Sequence, residues 1–134
     1  MAKLLWVKGP QTTDPDRAVQ IQWSMGNTCN FSCEYCPSIL HDGSKPWLTT
    51  ERYIEVVDKI SKHYQDQGRF MHWELLGGEV TTIPDFEEVI KRIAHYNSSV
   101  TIYTNGSRTT RWWEEAKDYL TGVSVQLIYN NEIL

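Results

Sequence analysis

Val19, Ile21 and Trp23 alternate with Gln20, Gln22 and Ser24, which is the period of a strand with one apolar face. After a loop the period changes. Tyr53, Val57, Ile60 and Tyr64 recur at helical spacing, with Thr49 or Thr50 placed to cap the helix and Gly68 to stop it. Phe70–Leu76 reads as a second strand. Pro84 and Asp85 open a second helix whose Phe86, Val89, Ile90 and Ile93 share one face. Residues 100–104 form a third strand. Thr109 or Thr110 starts a third helix running through Leu120, striped by Trp112, Ala116, Tyr119 and Leu120. Gly122 then precedes a fourth strand at residues 123–128. Residues 1–17, with Gly9-Pro10 and Asp14-Pro15 and no period of either kind, read as an extended lead-in anchored by Leu5 and Trp6.

Strand and helix therefore alternate three times before a final strand. That order predicts an α/β fold with a parallel sheet of about four strands and three right-handed crossover helices. With 134 residues, 40% hydrophobic and 22% charged, the chain suits a lead-in at 1–17 and one domain at 18–134 with a modest core. The net charge of -4 comes without a dense basic stripe. It argues against a nucleic-acid backbone as partner, while leaving a modified nucleotide open as a substrate. Residues 4–7 are the only apolar run near the start, too short for a signal-peptide core, and no later run approaches a membrane span. The expectation is a cytoplasmic protein.

Chemistry concentrates in the run CNFSCEYCP. Cys29, Cys33 and Cys36 are the only cysteines; an odd number within eight residues is a poor disulfide framework and points to metal ligation. Soft thiolates on a short loop suit an iron–sulfur cube, and a cube held by three rather than four leaves one iron free to bind a small molecule. The plainer alternative is a structural zinc site with His41 as the fourth ligand.

Gly77 and Gly78 follow a strand directly, where the lack of a Cβ permits a sharp turn and close approach to a ligand. Asn105-Gly106 would suit a hairpin in isolation. The SRTT that follows carries no alternating strand, so a strand-to-helix turn is expected. Phe31 is expected to anchor the core. On the second strand His72 and Glu74 share a face opposite Met71, Trp73 and Leu75, read as solvated or as lining a lumen. His63 and His95, late in their helices, are expected to be exposed and favourable to the helix dipole. The six tryptophans are scattered as packing anchors are.

The run CNFSCEYC, with the aromatic Tyr35 just before its third cysteine, resembles the cluster loop of the radical S-adenosylmethionine (radical SAM) superfamily. ELLGGE at residues 74–79 resembles the same family's Gly-Gly-Glu motif, with Val80 where proline often follows. IYTNG at residues 102–106 resembles the turn after its third strand. The resemblance runs from about residue 20 to 125. It implies a partial (βα) barrel, truncated relative to the usual six strand–helix units. It further implies a 4Fe-4S cluster on Cys29, Cys33 and Cys36, and S-adenosylmethionine chelating the open iron. On the same grounds Tyr35 would pack against adenine, and Gly77, Gly78 and Glu79 would meet the amino end of the methionine moiety. Thr104 and Asn105 would lie near the cofactor, and Gln126 would reach the ribose.

The implied activity is reductive cleavage of S-adenosylmethionine to a 5'-deoxyadenosyl radical, fed by an external electron donor and directed at an unknown small-molecule or peptide substrate. Since the sequence supplies three units and a fourth strand, the expectation is a fragment, a natural truncation, or a site completed by self-association or another subunit. A metal-binding structural or interaction module and a vestigial half-enzyme are the rival readings.

Overall fold

The computed structural model describes residues 17–126. Its strands are β1 Ala18–Ser24, β2 Phe70–Leu76, β3 Ser98–Thr104 and β4 Gly122–Val125. They alternate with helices α1 Thr50–Asp66, α2 Phe86–His95 and α3 Thr110–Ala116. The sheet order is β1-β2-β3-β4 and every pairing is parallel, with Ile21 beside Trp73 and Trp73 beside Val100. Chain order and sheet order coincide, as they do in the wall of a (βα) barrel.

The two faces of this wall differ because strand side chains alternate. Met71, Trp73 and Leu75 of β2 join Val100 and Ile102 of β3 on the outer face. There they pack against Tyr53 and Val57 of α1, Phe86, Val89, Ile90 and Ile93 of α2, and Trp112 and Ala116 of α3. Burying each large apolar side chain contributes about 1.5–3 kcal/mol. The inner face carries Gln20, Gln22, His72, Glu74, Ser99 and Thr101, which the register sets side by side. Helices on one face only make this an arc of a barrel, the α/β architecture expected from the alternation.

Local chemistry sets the element ends. Thr49 Oγ1 accepts from Arg52 N at 3.4 Å to cap α1, and Gly68, at φ 68°, ends the turn after it. Pro84 and Asp85, expected in the first turn of α2, lie before it: Asp85 stands at the N-cap position in the left-handed region at φ 53° without a side-chain capping bond, and the helix begins at Phe86. Across the two helices Arg92 grips Asp58 through Nε at 2.6 Å and a second nitrogen at 2.9 Å, while Tyr96 Oη donates to the same carboxylate at 2.6 Å. That pairing holds the Asp58 carboxyl down at about 2, chiefly through the Arg92 hydrogen bond. His63 and His95 are exposed in the last turns of α1 and α2, as expected.

Other element ends change as well, β3 beginning at Ser98 rather than at residue 100. The third helix stops at Ala116 rather than Leu120: Tyr119 N turns back to Ala116 O at 3.0 Å and Thr121 N joins Val100 O at 2.8 Å, so sheet pairing takes over the chain. The fourth strand ends at Val125; its expected continuation to 128, and the anchors Leu5 and Trp6, lie outside the described residues. Val123 and Val125 are exposed on the outer face of β4.

Candidate functional site

A short antiparallel neck holds the cysteine loop. Asn27 N donates to Lys45 O at 3.0 Å, Gly43 N to Asn27 O at 3.3 Å, and Thr28 bridges Asp42. The Asn27 side chain is buried between the two arms. Its Nδ2 faces Ile39 O at 3.0 Å, Asp42 Oδ1 at 2.9 Å and Ser44 Oγ at 2.9 Å, while its Oδ1 accepts from Lys45 N at 2.7 Å. One amide thus satisfies both sides of the neck, the full pairing a buried amide requires. A second asparagine ties the loop to the turn after β3. Asn30 Oδ1 accepts from Asn105 Nδ2 at 2.9 Å, and Asn30 Nδ2 donates to Ser107 Oγ at 2.9 Å.

Within the loop, Cys29, Cys33 and Cys36 are free, half-buried thiols. Phe31 N donates to Cys29 Sγ at 3.4 Å, and Cys36 N closes a turn on Cys33 O at 3.1 Å. Burial pushes the Cys29 thiol up; the Phe31 amide works against this, and the Glu79 carboxylate and the other two cysteines reinforce it. The neutral thiol of Cys29 is thus favoured in the empty loop. Phe31 is not the core anchor expected: it is 39% exposed. The loop backbone is committed to presenting the thiols, which leaves the ring at the edge of the cavity they line. Tyr35 is 57% exposed.

Gly77 and Gly78 bring the end of β2 against this neck. Gly78 N donates to Gly26 O at 3.1 Å and Glu79 N to Thr28 O at 2.9 Å. A Cβ on Gly77 would stand 2.7 Å from Gly26 O, and one on Gly78 only 2.1 Å from Thr28 O, so both positions require glycine for backbone contact. Glu79 is fully buried. Its carboxylate accepts from Thr81 N at 3.3 Å, from Thr81 Oγ1, from Thr104 Oγ1 at 2.7 Å and from Asn105 N at 2.6 Å. The segments after β2 and β3, read from sequence as separate motifs, are joined through this one side chain. Gly106, at φ 75°, completes the turn leading toward α3.

These pieces surround one cavity of about 540 Å³ at the strands' C-terminal ends. Cys29, Cys33, Cys36, Tyr35, Gly77, Gly78, Glu79, Thr104, Asn105 and Gln126 all line it. Every candidate residue is thus brought to one place. Sequence reasoning missed Asn27 and Asn30, whose only signal was a pair of asparagines flanking the first cysteine.

Below the cavity lies the polar inner face. Gln20 Nε2 donates to Glu74 Oε1 at 2.8 Å, Gln22 Nε2 approaches Glu74 Oε2 at 3.5 Å, and His72 Nδ1 meets Ser99 Oγ at 2.6 Å. His72 Nε2 stands 3.9 Å from Glu74 Oε1. Burial lowers the His72 pKa, and the Glu74 carboxylate partly offsets it.

Three soft thiolates on one short loop fit an iron–sulfur cube. Each thiolate of a cube binds its own iron, so its three sulfurs need not converge on a point. Among the described residues no three His, Cys, Asp or Glu side chains are grouped to hold one metal ion. His41, the zinc alternative's fourth ligand, has its Nε2 at 3.1 Å from Cys36 O, which leaves Nδ1 as the nitrogen a metal could take. Among the described residues no helix is long and apolar enough to cross a membrane.

The family model described as "Radical SAM superfamily" matches residues 23–131. The chain is 30% identical over 105 residues to GTP 3',8-cyclase of Actinobacillus pleuropneumoniae serotype 3, covering 73% of this chain and 30% of that protein. It is 29% identical over 104 residues to the sporulation killing factor maturation protein SkfB of Bacillus subtilis, covering 75% and 23%. It is 25% identical over 95 residues to the mycofactocin maturase MftC of Mycobacterium tuberculosis, covering 71% and 23%. The chain thus spans less than a third of the length of these relatives.

Proposed function

The chain belongs to the radical SAM superfamily, whose members use a 4Fe-4S cluster and S-adenosylmethionine, and from that premise we propose that it is the cofactor-binding part of a radical SAM enzyme working in the cytoplasm. The observation that carries the proposal is the single cavity shared by the three thiols and the turns after β2, β3 and β4. Cys29, Cys33 and Cys36 would hold the cluster. Held there, cluster and S-adenosylmethionine together would supply one-electron reductive cleavage of the sulfonium to methionine and a 5'-deoxyadenosyl radical.

The chain's own residues bind, orient and shield. The Asn27 neck fixes the loop that presents the thiols, and the Glu79 carboxylate fixes the Thr104–Asn105 turn opposite it. Backbone of Gly77 and Gly78 forms the wall toward the methionine end, the exposed ring of Tyr35 offers a face to adenine, and Gln126 offers an amide to the ribose. The electron comes from an external donor, and the substrate is a small molecule or a peptide.

Anaerobic reconstitution tests the metal assignment. Wild-type chain should carry about four irons and four sulfides, and single Cys29→Ala, Cys33→Ala or Cys36→Ala changes should each abolish loading while His41→Ala leaves it intact. One zinc per chain, lost on changing His41, would overturn the proposal.

A further inference from the structure

Glu74 holds a carboxylate on the inner face with an incomplete set of partners. Its side chain is only 14% exposed, yet its hydrogen-bond donors are the neutral amides of Gln20 and Gln22. Among the described residues no Lys or Arg pairs with it. Among the described residues the one basic group within 4 Å of its carboxylate is His72, with Nε2 at 3.9 Å, and burial disfavours the charged form of that imidazole. A partly desolvated carboxylate beside a neutral ring and two amides keeps its charge unmatched and has lone pairs left over on both oxygens.

The surroundings are arranged to hold that carboxylate still. Ser99 is buried and its Oγ meets His72 Nδ1 at 2.6 Å. The ring is thus held by Ser99 on its Nδ1 side and faces Glu74 with Nε2. The Gln22 that approaches Glu74 also lines the cofactor cavity. Glu74 precedes Gly77 by three residues on β2, which at about 3.3 Å per residue sets it roughly 10 Å down the wall from the glycine turn.

We propose that Glu74, backed by Gln20, Gln22 and His72, is the substrate-recognition site and that it takes a cationic nitrogen, a protonated amine or guanidinium, on a molecule reaching from the inner face toward the cavity. The inference rests on the radical SAM reading for the cavity's role, and on the inner-face geometry alone for the cation. The cation supplies the opposite charge that no described residue offers Glu74, and further N–H donors beside those of Gln20 and Gln22. Two sources share this chemistry, a free metabolite and a Lys or Arg side chain of a peptide.

The test is a titration of the full chain, before and after cluster reconstitution, with arginine amide and citrulline amide, both N-acetylated so that only the side chain differs in charge, and with the capped tripeptide Gly-Arg-Gly. It is followed by the imidazole resonances of His72 and the side-chain amides of Gln20 and Gln22. Arginine amide should perturb these signals and bind at least about tenfold more tightly than its neutral isostere citrulline, the discrimination expected of one charge-assisted contact. Glu74→Gln, which keeps the shape, should erase that difference. Tripeptide binding tighter than arginine amide assigns a peptide source; equal binding assigns a free metabolite. Equal perturbation by arginine and citrulline in wild-type chain, which needs no variant to fold, overturns the cation site. A chain that discriminates the two but never loads iron overturns the radical reading instead.

Discussion

Replacing Gly78 with alanine tests whether the wall of the cavity depends on backbone-to-backbone contact. The new Cβ would lie 2.1 Å from Thr28 O, 2.5 Å from Thr28 C and 2.9 Å from Asn27 C, all backbone atoms, so no side chain can swing away. Reaching ordinary contact at 3.4 Å requires the end of β2 to withdraw by about an ångström. That withdrawal strains the bonds from Gly78 N to Gly26 O at 3.1 Å and from Glu79 N to Thr28 O at 2.9 Å. Two weakened backbone bonds cost about 0.5–1.5 kcal/mol each, and overpacking about 1–3 kcal/mol more. A total near 2–6 kcal/mol corresponds to a melting temperature lower by roughly 10–30 °C. Thr28 adjoins Cys29, so iron per chain after reconstitution should fall as well. The control is Gly43→Ala, at φ 73° with nothing within 4 Å of its Cβ, where only left-handed strain of about 1–2 kcal/mol applies. Thermal melts by circular dichroism decide: Gly78→Ala melting no lower than Gly43→Ala, with full iron loading, would refute the reasoning.

Asn27→Leu should lose about 2–4 kcal/mol, because the backbone and side-chain groups of the neck lose their shared amide, and iron content should fall with it; a stable variant loading normally would show that the neck does not position the cysteines. Tyr35→Ala should alter stability by no more than about 0.5 kcal/mol, since the ring is 57% exposed, while weakening S-adenosylmethionine binding measured by calorimetry on the reconstituted chain. Asp58, held down at about 2 by Arg92, contributes stability that is complete above the ordinary carboxylate pKa of about 3.9 and disappears as pH falls through its folded value. The melting-temperature gap between wild type and Asp58→Asn should therefore be widest near neutral pH and close between about pH 4 and 2; a gap unchanged across that window would contradict the Arg92 pairing.

Local patterning made most of the fold legible. Phe70–Leu76 was bounded correctly because a short apolar run after a glycine stop has few alternatives, and the Thr49 cap was readable from its position before a helical stripe. Residues 117–120 misled because Tyr119 and Leu120 continue the helical spacing, whereas the pull of β3 on Thr121 is a tertiary effect. Phe31 misled for a similar reason: aromatic character suggested burial, but the loop around it exists to expose thiols.

At the site, the cysteine spacing and the glycine pair were visible as chemistry, while the links among them were not. Asn30 meets Asn105 across 75 positions and Glu79 meets Thr104 across 25. No periodicity encodes such contacts. The same holds for the inner face, where the alternation at His72 and Glu74 was plain but their juxtaposition with Gln20, Gln22 and Ser99 depends on the parallel register.

The central claim is that three thiols, rather than four ligands, hold the metal centre and leave an iron open beside Gly77, Gly78 and Glu79. Electron paramagnetic resonance of the anaerobically reconstituted, reduced chain, recorded without and with saturating S-adenosylmethionine, tests it most directly. The account predicts a 4Fe-4S signal whose g-values shift when S-adenosylmethionine is added. A cluster signal that stays unchanged at saturating S-adenosylmethionine would contradict it.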